Sequence, residues 1–488
     1  MSAGRGRVVW IGGSVPRVVT AACADRDVDV IAAKLEQLPE LAPTARGLLI
    51  EVPDGKWEWG DRAIATAADH GLHIALVMPQ DLDPFSLVGG KAALDRHYET
   101  VHAVSAPCLV FFGYQNLHGA ARHVSADPVG PGANPRLDIS GEVPTDRRED
   151  LLVRRAFGDF QRVALRRLGG GKSGAAVFLV DVGGEDRKRR SQPFVVKMHS
   201  REKIGAEKSN SEVVRNLVAP RLYVPLHADR CVEGSELGLV VYDVMDRAAP
   251  LRSVLATATP EALVGSLFGE TLRNFRTHAE DKRSTALIEF GERGLKAIKW
   301  TPGLEEAASA ARATDGEVLD VPSLRSLLDE RSAMTIRSGV VHGDLHVGNL
   351  FVSGMDVMMI DYGSVRQGAP LAADYACLEI SLTFPPQDEV SGEDAPTTEW
   401  LHAMYQSPLR RNALTDGAPT RIARSVEAIR QGAQAVVSGQ EYVAALAAYL
   451  LRAAAYPDHA EVRQRALAYS LASKLFLSAF PAAGEVRA

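Results

Sequence analysis

The sequence predicts an α+β protein in which a strand-rich segment precedes a helix-rich one, with a small α/β domain in front of both. Short apolar runs alternate with helical patterns over residues 1–115. Strands joined by glycine turns occupy residues 151–250, and amphipathic helices dominate residues 251–488. Residues 116–150 are rich in proline and glycine, lack periodicity and predict a flexible linker between the domains.

The composition excludes several classes of protein. A chain of 488 residues with 46% hydrophobic and 24% charged residues is typical of a globular protein with two or three domains. The net charge of −6 provides no basic field for nucleic acid, and no apolar run approaches the ~18 residues that span a membrane. The four cysteines form no C-x-x-C pair. We therefore predict a cytoplasmic protein that binds neither nucleic acid nor membrane.

The first 115 residues predict a parallel sheet with helices on both faces, similar to flavodoxin and receiver domains. A receiver domain would need a carboxylate pair after the first strand, and none is present. We interpret residues 1–115 as a recognition or regulatory module that binds a protein partner. The predicted strands are Val8 to Ile11, Val18 to Thr20, Gly47 to Val52, Leu72 to Met78 and Cys108 to Phe112, and the predicted helices are Val28 to Leu38, Trp59 to His70 and Lys91 to Val104.

Two motifs in the second half of the chain carry the chemistry. The first is His342-Gly343-Asp344-Leu345-His346-Val347-Gly348-Asn349, followed by an apolar strand. The second, Ile360-Asp361-Tyr362-Gly363, follows the next apolar strand. A hairpin of these strands would bring Asp344, Asn349 and Asp361 near one point, which suits phosphoryl transfer. Asp344 would orient the attacking hydroxyl, and Asn349 and Asp361 would bind Mg²⁺.

This pair of motifs resembles the catalytic core of the aminoglycoside phosphotransferase and choline kinase-like group, within the protein-kinase-like fold. The resemblance covers residues 160–385 by motif and the rest of the C-terminal lobe by pattern alone. It implies a two-lobed kinase-like domain over residues 151–488, with lobes at 151–250 and 251–488. It also implies an enzyme that uses ATP and Mg²⁺ to phosphorylate an alcohol group.

A glycine turn between two predicted strands is a candidate phosphate-binding loop, because its backbone N–H groups could close over phosphates. It is not a P-loop, since Arg166 stands where a P-loop has glycine and strand formers follow instead of a helix. A simple hairpin turn is the alternative. The predicted nucleotide-binding residues of this turn are Gly169, Gly170, Gly171, Lys172, Ser173 and Gly174.

The strand Phe194-Val195-Val196-Lys197-Met198 is similar to the V-A-I-K strand of kinases, which implies that Lys197 binds the α- and β-phosphates. The next predicted helix offers Glu207 or Glu212 as the partner of this lysine. Glu207 fits the resemblance better, but the spacing leaves both open. A later strand resembles the last strand and hinge of the lobe, where the backbone of Tyr242 and Met245 would bind adenine.

The acceptor is constrained by what the chain lacks. Asp374 matches the acid that supports the catalytic loop in the family, but there is no A-P-E motif, and Gly343 replaces the arginine of H-R-D. Peptide docking is therefore unsupported, and a small-molecule or unusual acceptor is favoured. An aminoglycoside would require an acidic pocket. The candidate residues for such a pocket form an acidic stretch that is more typical of a solvated loop. They are Glu379, Asp388, Glu389, Glu393 and Asp394.

Two other functions stay open. The kinase-like domain could be a nucleotide-binding regulatory or scaffold component of a bacterial signalling or defence system, like the phosphotransferase-like domains of ternary conflict systems. An intact set of Asp344, Asn349 and Asp361 favours chemistry, because a scaffold does not need all three. The fold would also permit nucleotidyl transfer if ATP were bound in the reverse direction.

Overall fold

The computed structural model divides the chain into two compact units, Met1–Ser209 with Pro225–Val244, and Asn210–Val224 with Met245–Ala488. The residues that it describes are 6–51, 60–78, 109–126, 130–168, 174–183, 193–245, 248–255, 259–283, 286–330, 334–385, 396–406, 408–409, 420–456 and 461–480.

The first unit begins with a five-stranded parallel sheet, and its strand order confirms the predicted α/β domain. The order β2-β1-β3-β4-β5 is that of flavodoxin-like proteins. The register is parallel throughout, for example Val8 beside Val30 and Leu49 beside Ala75. Apolar clusters cover both faces. The strands are β1 (Gly6–Ile11), β2 (Val28–Ala33), β3 (Ala45–Glu51), β4 (His73–Met78) and β5 (Leu109–Gly113).

Two of the predicted elements in this domain are wrong. The predicted strand at Val18 to Thr20 lies in a helix, which buries Val19, Ala22 and Cys23 on one face. The predicted helix from Val28 is strand β2, whose β-branched residues pair with β1. The predicted helix from Lys91 lies outside the described residues. The helices are α1 (Arg17–Ala24), α2 (Leu38–Leu41), α3 (Gly60–Asp69) and α4 (Leu117–Val124).

The segment predicted as a flexible linker contains ordered elements. Helix α4 buries Leu117, Ala120, Ala121 and Val124 against the parallel sheet, at the spacing of a helical stripe. Strand β6 (Asp138–Gly141) pairs in parallel with the first strand of the next sheet. The breakers between them, such as Pro128 and Pro131, hid this periodicity in the sequence. The exact domain boundaries remain a prediction.

A six-stranded sheet forms the predicted strand-rich lobe. Its order is β10-β11-β9-β8-β7-β6, and all of its pairs except β6 with β7 are antiparallel. The new strands are β7 (Arg162–Arg167), β8 (Ala176–Gly183), β9 (Phe194–Ser200), β10 (Val232–Glu233) and β11 (Leu237–Asp243). The helices are α5 (Arg147–Ala156) and α6 (Arg201–Leu217).

Arg155 on α5 joins the two sheets of the first unit. Its side chain is buried, and its guanidinium donates to the backbone oxygens of Asp69 at 2.7 Å, Glu233 at 2.9 Å and Pro131 at 3.2 Å. The Asp69 carboxylate in turn accepts the N–H and the hydroxyl of Ser235, both at 2.7 Å. Because a buried guanidinium is costly unless it is hydrogen-bonded, these contacts tie helix α3 firmly to the strand-rich lobe.

The second unit is mainly helical, which confirms the kinase-like division into a strand-rich and a helix-rich part. Its strands are β12 (Ala249–Pro250), β13 (Glu280–Arg283), β14 (Thr335–Val341), β15 (Leu350–Ser353), β16 (Asp356–Met359) and β17 (Arg366–Pro370). They form two three-stranded sheets, β12-β15-β16 and β13-β14-β17.

The longer α-helices of this unit pack mainly against one another. Across the residues that the structure describes, none of the helices is long and apolar enough to cross a membrane. They are α7 (Leu251–Leu255), α8 (Pro260–Ser266), α9 (Leu287–Glu289), α10 (Pro302–Thr314), α11 (Val321–Glu330), α12 (Ala372–Thr383), α13 (Thr398–Gln406), α14 (Thr420–Gln434), α15 (Gly439–Ala455) and α16 (Val462–Ala479).

Glu441 in the first turn of α15 is a buried carboxyl group with few compensating contacts. One of its oxygens accepts the N–H of Arg337 at 3.0 Å, while the other is buried with no hydrogen-bond partner among the described residues. Burial raises the pKa of Glu441 to about 7, although the hydrogen bond from Arg337 acts against it. The folded chain therefore holds this proton more tightly than the unfolded chain does.

We expect Glu441 to make the second unit less stable as the pH rises. The pKa of Glu441 is higher in the folded chain than in the unfolded chain. The contribution of this carboxyl group to the free energy of unfolding is therefore complete below about pH 4.5 and is lost as the pH rises past about 7. From pH 5 to pH 8, the wild type should lose roughly 3 kcal/mol more unfolding free energy than Glu441→Gln. Urea unfolding at both pH values measures this, with the exposed Glu305→Gln as control; equal losses in wild type and Glu441→Gln would contradict it.

Candidate functional site

The buried side chain of Asp374 fixes the backbone of the loop that carries Asp344. The loop leaves strand β14 at His342, and the buried Asp374 carboxylate accepts the N–H of His342 at 2.8 Å and that of Gly343 at 2.9 Å. Gly343 has φ +77°, and a Cβ there would lie 2.3 Å from the carbonyl oxygen of Ser364. Only glycine fits this backbone, so the residue that replaces the H-R-D arginine also allows the loop to approach its neighbour closely.

The Asp344 carboxylate lies next in the loop and is held by a cation. The Arg452 guanidinium on helix α15 donates to it at 2.9 Å, and the Nε2 atom of His346 is 3.9 Å away. Burial favours the protonated acid, but Arg452, followed by the two nearby histidines, outweighs burial and lowers the pKa of Asp344. Asp344 is therefore a charged carboxylate at neutral pH, as a group that orients a hydroxyl must be.

The hairpin of β15 and β16 joins Asn349, directly before β15, to Asp361, which follows β16. The Nδ2 group of Asn349 donates to the backbone oxygen of Asp344 at 2.9 Å, which leaves the Oδ1 atom for a ligand. The N–H of Ile360 donates to the backbone oxygen of Asn349 at 3.0 Å, so the residue before Asp361 pairs with Asn349 across the hairpin. An amide oxygen and a carboxylate are ligands that suit Mg²⁺.

The backbone around Asp361 is fixed by unusual local geometry. Asp361 has φ +63° and ψ +73°, a left-handed conformation that is uncommon for a residue other than glycine. The carbonyl oxygen of Ile360 is 2.9 Å from the Nε2 atom of His342, and that of Tyr362 accepts from Asn210 at 2.8 Å. The buried Tyr362 hydroxyl accepts the N–H of Val224 at 2.9 Å. These bonds hold the turn that carries Asp361.

Within the first unit, Lys197 and Glu207 form a buried ion pair. The Nζ atom of Lys197 is 2.8 Å from Oε2 of Glu207, and their side chains are 14% and 2% exposed. The Tyr242 hydroxyl donates to the other oxygen of Glu207. Glu212, the alternative partner, is exposed further along the same helix. Such a pair holds the lysine ammonium in one position, and removing either partner would leave an uncompensated buried charge.

The other predicted nucleotide-binding residues are only partly described. Gly169, Gly170, Gly171, Lys172 and Ser173 lie outside the described residues, and Gly174 has φ +75°. The backbone of Tyr242 pairs with Val195 on one side and forms a bridge to Leu226 on the other. Met245 lies two residues beyond the end of strand β11. The hydroxyl of Tyr242 binds Glu207. The adenine contact predicted for the backbone of Tyr242 and Met245 stays a prediction.

Arg452 is the site residue that sequence reasoning missed. It lies 108 residues after Asp344, in an alanine-rich helix with no motif around it. A basic residue in the last turn of a helix normally complements the helix dipole, so its presence there was unremarkable. Only the packing of α15 against helix α12, which carries Asp374, brings Arg452 beside the catalytic loop.

Solved small-molecule kinases are among the similar structures. The aminoglycoside phosphotransferase APH(4)-Ia with AMP-PNP and hygromycin B has 13% identity and a TM-score of 0.34, covering 66% of this chain and 94% of that chain. A glucosamine kinase with glucosamine, ADP and phosphate has 15% identity and a TM-score of 0.35, covering 67% and 85%. A putative fructosamine-3-kinase from Haemophilus somnus 129PT has 12% identity and a TM-score of 0.33, covering 64% and 90%.

Residues 307–481 match the family model of the ternary complex associated domain 9. This range includes Asp344, Asn349, Asp361 and Arg452. No curated protein matches the sequence. The helix-rich part of this chain is therefore similar to the ternary complex associated domain 9, which confirms the resemblance to phosphotransferase-like domains of ternary systems.

Proposed function

We propose that the chain is an ATP- and Mg²⁺-dependent phosphotransferase that moves the γ-phosphoryl group of ATP to a hydroxyl of a small-molecule or unusual acceptor. The observation that carries this proposal is the charged carboxylate of Asp344 on a loop fixed by Asp374. Phosphoryl transfer needs little covalent chemistry from a protein and depends on positioned charges.

In the proposed reaction, Asp344 accepts a hydrogen bond from the acceptor hydroxyl and aligns it with the γ-phosphorus atom. The hydroxyl oxygen forms a bond to phosphorus, the bond from phosphorus to the bridging β–γ oxygen breaks, and ADP leaves. The hydroxyl proton passes to Asp344. Mg²⁺, held by Asn349 and Asp361, would neutralise phosphate charge. The lowered pKa of Asp344 suits a group that orients the hydroxyl before it takes the proton.

Lys197 binds the α- and β-phosphates in this proposal. Its ammonium already has one charged partner in Glu207, which limits where the cation can lie. The Tyr242 hydroxyl occupies the other oxygen of Glu207 and keeps the carboxylate from turning away. Because these three groups are buried or half-buried, their electrostatic interactions are screened less than those of surface pairs.

We expect Asp344→Asn to abolish transfer while ATP binding is kept. The amide retains the size of the carboxylate but neither accepts the proton nor keeps the charge, so kcat should fall by about 10²- to 10⁴-fold. The measurement is ³²P transfer from γ-labelled ATP into a protein-free metabolite extract, together with equilibrium binding of a fluorescent ATP analogue. Asp356→Asn, on the neighbouring hairpin strand, is the matched control. Equal turnover in wild type and Asp344→Asn would eliminate Asp344 as the catalytic group.

The ion pair of Lys197 gives a second prediction, with a control on the same helix. Glu207→Gln leaves the ammonium without its counter-charge, so we expect the KM for ATP to rise about tenfold or more. Glu212→Gln changes an exposed glutamate on the same helix and should leave the KM at the wild-type value. Steady-state ATP turnover measures both variants. If the two glutamines behave alike, the buried pair does not position the phosphates.

A second candidate function is a nucleotide-binding component of a protein assembly, with a partner bound through residues 1–115. The match of residues 307–481 to a domain named for ternary complexes favours this candidate. In that case Asp344→Asn would leave assembly intact and no acceptor would be labelled by the wild type. ATP labelled at the α-phosphate separates the third possibility, because label retained on an acceptor would indicate nucleotidyl transfer.

A further inference from the structure

Arg452 has hydrogen-bonding capacity that Asp344 does not use. A guanidinium carries five N–H donors. Among the described residues, the hydrogen bond from one terminal nitrogen to Asp344 is the only one that Arg452 makes, and its side chain is 30% exposed. The guanidinium also lies 5.8 Å from the ring of the buried Tyr449, which fixes its position. A fixed and partly exposed cation, with donors that Asp344 does not use, therefore lies directly beside the Asp344 carboxylate.

A second cation lies near the last turn of helix α15, the turn that carries Arg452. Tyr456 is the capping residue directly after the end of helix α15, and it lies close enough to Arg452 to contribute to the electrostatic environment of the guanidinium. The Nζ atom of the exposed Lys299 lies 5.6 Å from the centre of the Tyr456 ring. Arg452 is thus linked to Asp344 on one side and, through Tyr456, to Lys299 on the other, and we call these four residues the cationic row.

The segment that supplies Lys299 is fixed at both ends. At one end, the Arg366 guanidinium donates to the backbone oxygens of Gly294 at 2.8 Å and Leu295 at 3.1 Å. At the other end, the Thr301 hydroxyl donates to the backbone oxygen of Ala455 at 3.1 Å. The segment is therefore anchored to the strand that follows the Asp361 turn and to the end of helix α15.

The charges of this segment are mostly positive. Residues 291–301 contain one acid, Glu292, and three bases, Arg293, Lys296 and Lys299. Lys296 has φ +54°, an uncommon backbone conformation for a lysine, and such strain often accompanies function. Of these bases, Lys299 belongs to the cationic row, and together with Arg452 it would repel a cationic amino sugar.

The acidic residue that could have bound an amino sugar is not available. Glu379 is fully buried, its carboxylate lies 2.7 Å from a terminal nitrogen of Arg430, and it also accepts the hydroxyl of Tyr442 at 2.6 Å. It therefore serves the interior of the helix-rich unit. The remaining candidates, Asp388, Glu389, Glu393 and Asp394, lie outside the described residues.

We propose that the acceptor is a small molecule that carries an anionic group, a phosphate or a carboxylate, next to the hydroxyl that is phosphorylated, and that Arg452 and Lys299 bind this anion. This inference rests on the proposed phosphotransferase function and specifies its substrate class. The guanidinium of Arg452 would bind the Asp344 carboxylate with one donor and the anionic group of the acceptor with others, because its donors lie in one plane and point in different directions. The acceptor hydroxyl is thereby placed at Asp344.

The first test separates acceptors by charge before the reaction. A protein-free metabolite extract is depleted of nucleotides on charcoal and divided by ion exchange into anionic, neutral and cationic pools. Each pool is incubated with the full chain and γ-labelled ATP, with Asp344→Asn as the blank. Label found mainly in the anionic pool supports the inference. Label found mainly in the neutral or cationic pool overturns it but keeps the phosphotransferase, and no label in any pool overturns both.

The second test uses variants against the labelled anionic pool. Lys299→Gln should raise the half-saturating amount of this pool about three- to tenfold with little change in maximal rate, since a charge-assisted contact is lost away from the reacting atoms. Lys299→Arg should restore it. Arg452→Gln should raise it at least as much, and Arg424→Gln, a surface arginine on helix α14, is the control. Saturation curves of Lys299→Gln and Arg452→Gln that coincide with the wild type would overturn the cationic row as the anion-binding site.

Discussion

The loop that carries Asp344 depends on one buried carboxylate. Asp374 accepts two consecutive backbone N–H groups, those of His342 and Gly343, and so fixes the chain where it leaves strand β14. Burial raises the pKa of Asp374, although His342, the two backbone N–H groups and Arg366 act in the opposite direction. A loop held in this way fixes the position of Asp344 without help from a ligand, and the proposed phosphotransferase would need such a pre-organised group.

Both units contain ion pairs at the residues of the proposed chemistry. Two buried or half-buried ion pairs belong to the proposed chemistry: Asp344 with Arg452 at 2.9 Å and Lys197 with Glu207 at 2.8 Å. Buried charges of this kind contribute little net stability, because desolvation offsets most of their attraction. Their value is positional, since each pair restricts a side chain to one geometry. Arg452 combines this role with donors that Asp344 does not use, on a side chain that is 30% exposed.

The N-terminal sheet illustrates where sequence patterns fail. The β-branched residues Val18 to Thr20 predicted a strand. In the structure they belong to helix α1, whose buried face consists of Val19, Ala22 and Cys23. Strand β2 lies at the edge of the sheet with only partial burial, so its alternation is weak and its residues read as helical. Helix α4 was hidden because the breakers that follow it dominated the composition of residues 116–150. In each case tertiary burial outweighed a short local signal.

The sequence by itself determined the elements whose identity lies in a contiguous motif: the loop of Asp344 and Asn349, the turn of Asp361, and the strand that carries Lys197. Motifs of this kind specify the local backbone conformation, because that conformation depends mainly on residues that are adjacent in the sequence. Only the tertiary structure decided that Glu207 rather than Glu212 meets Lys197, and that Arg452 meets Asp344. Those contacts depend on how helices rotate and pack against distant strands, and the spacing of residues along one helix does not encode this.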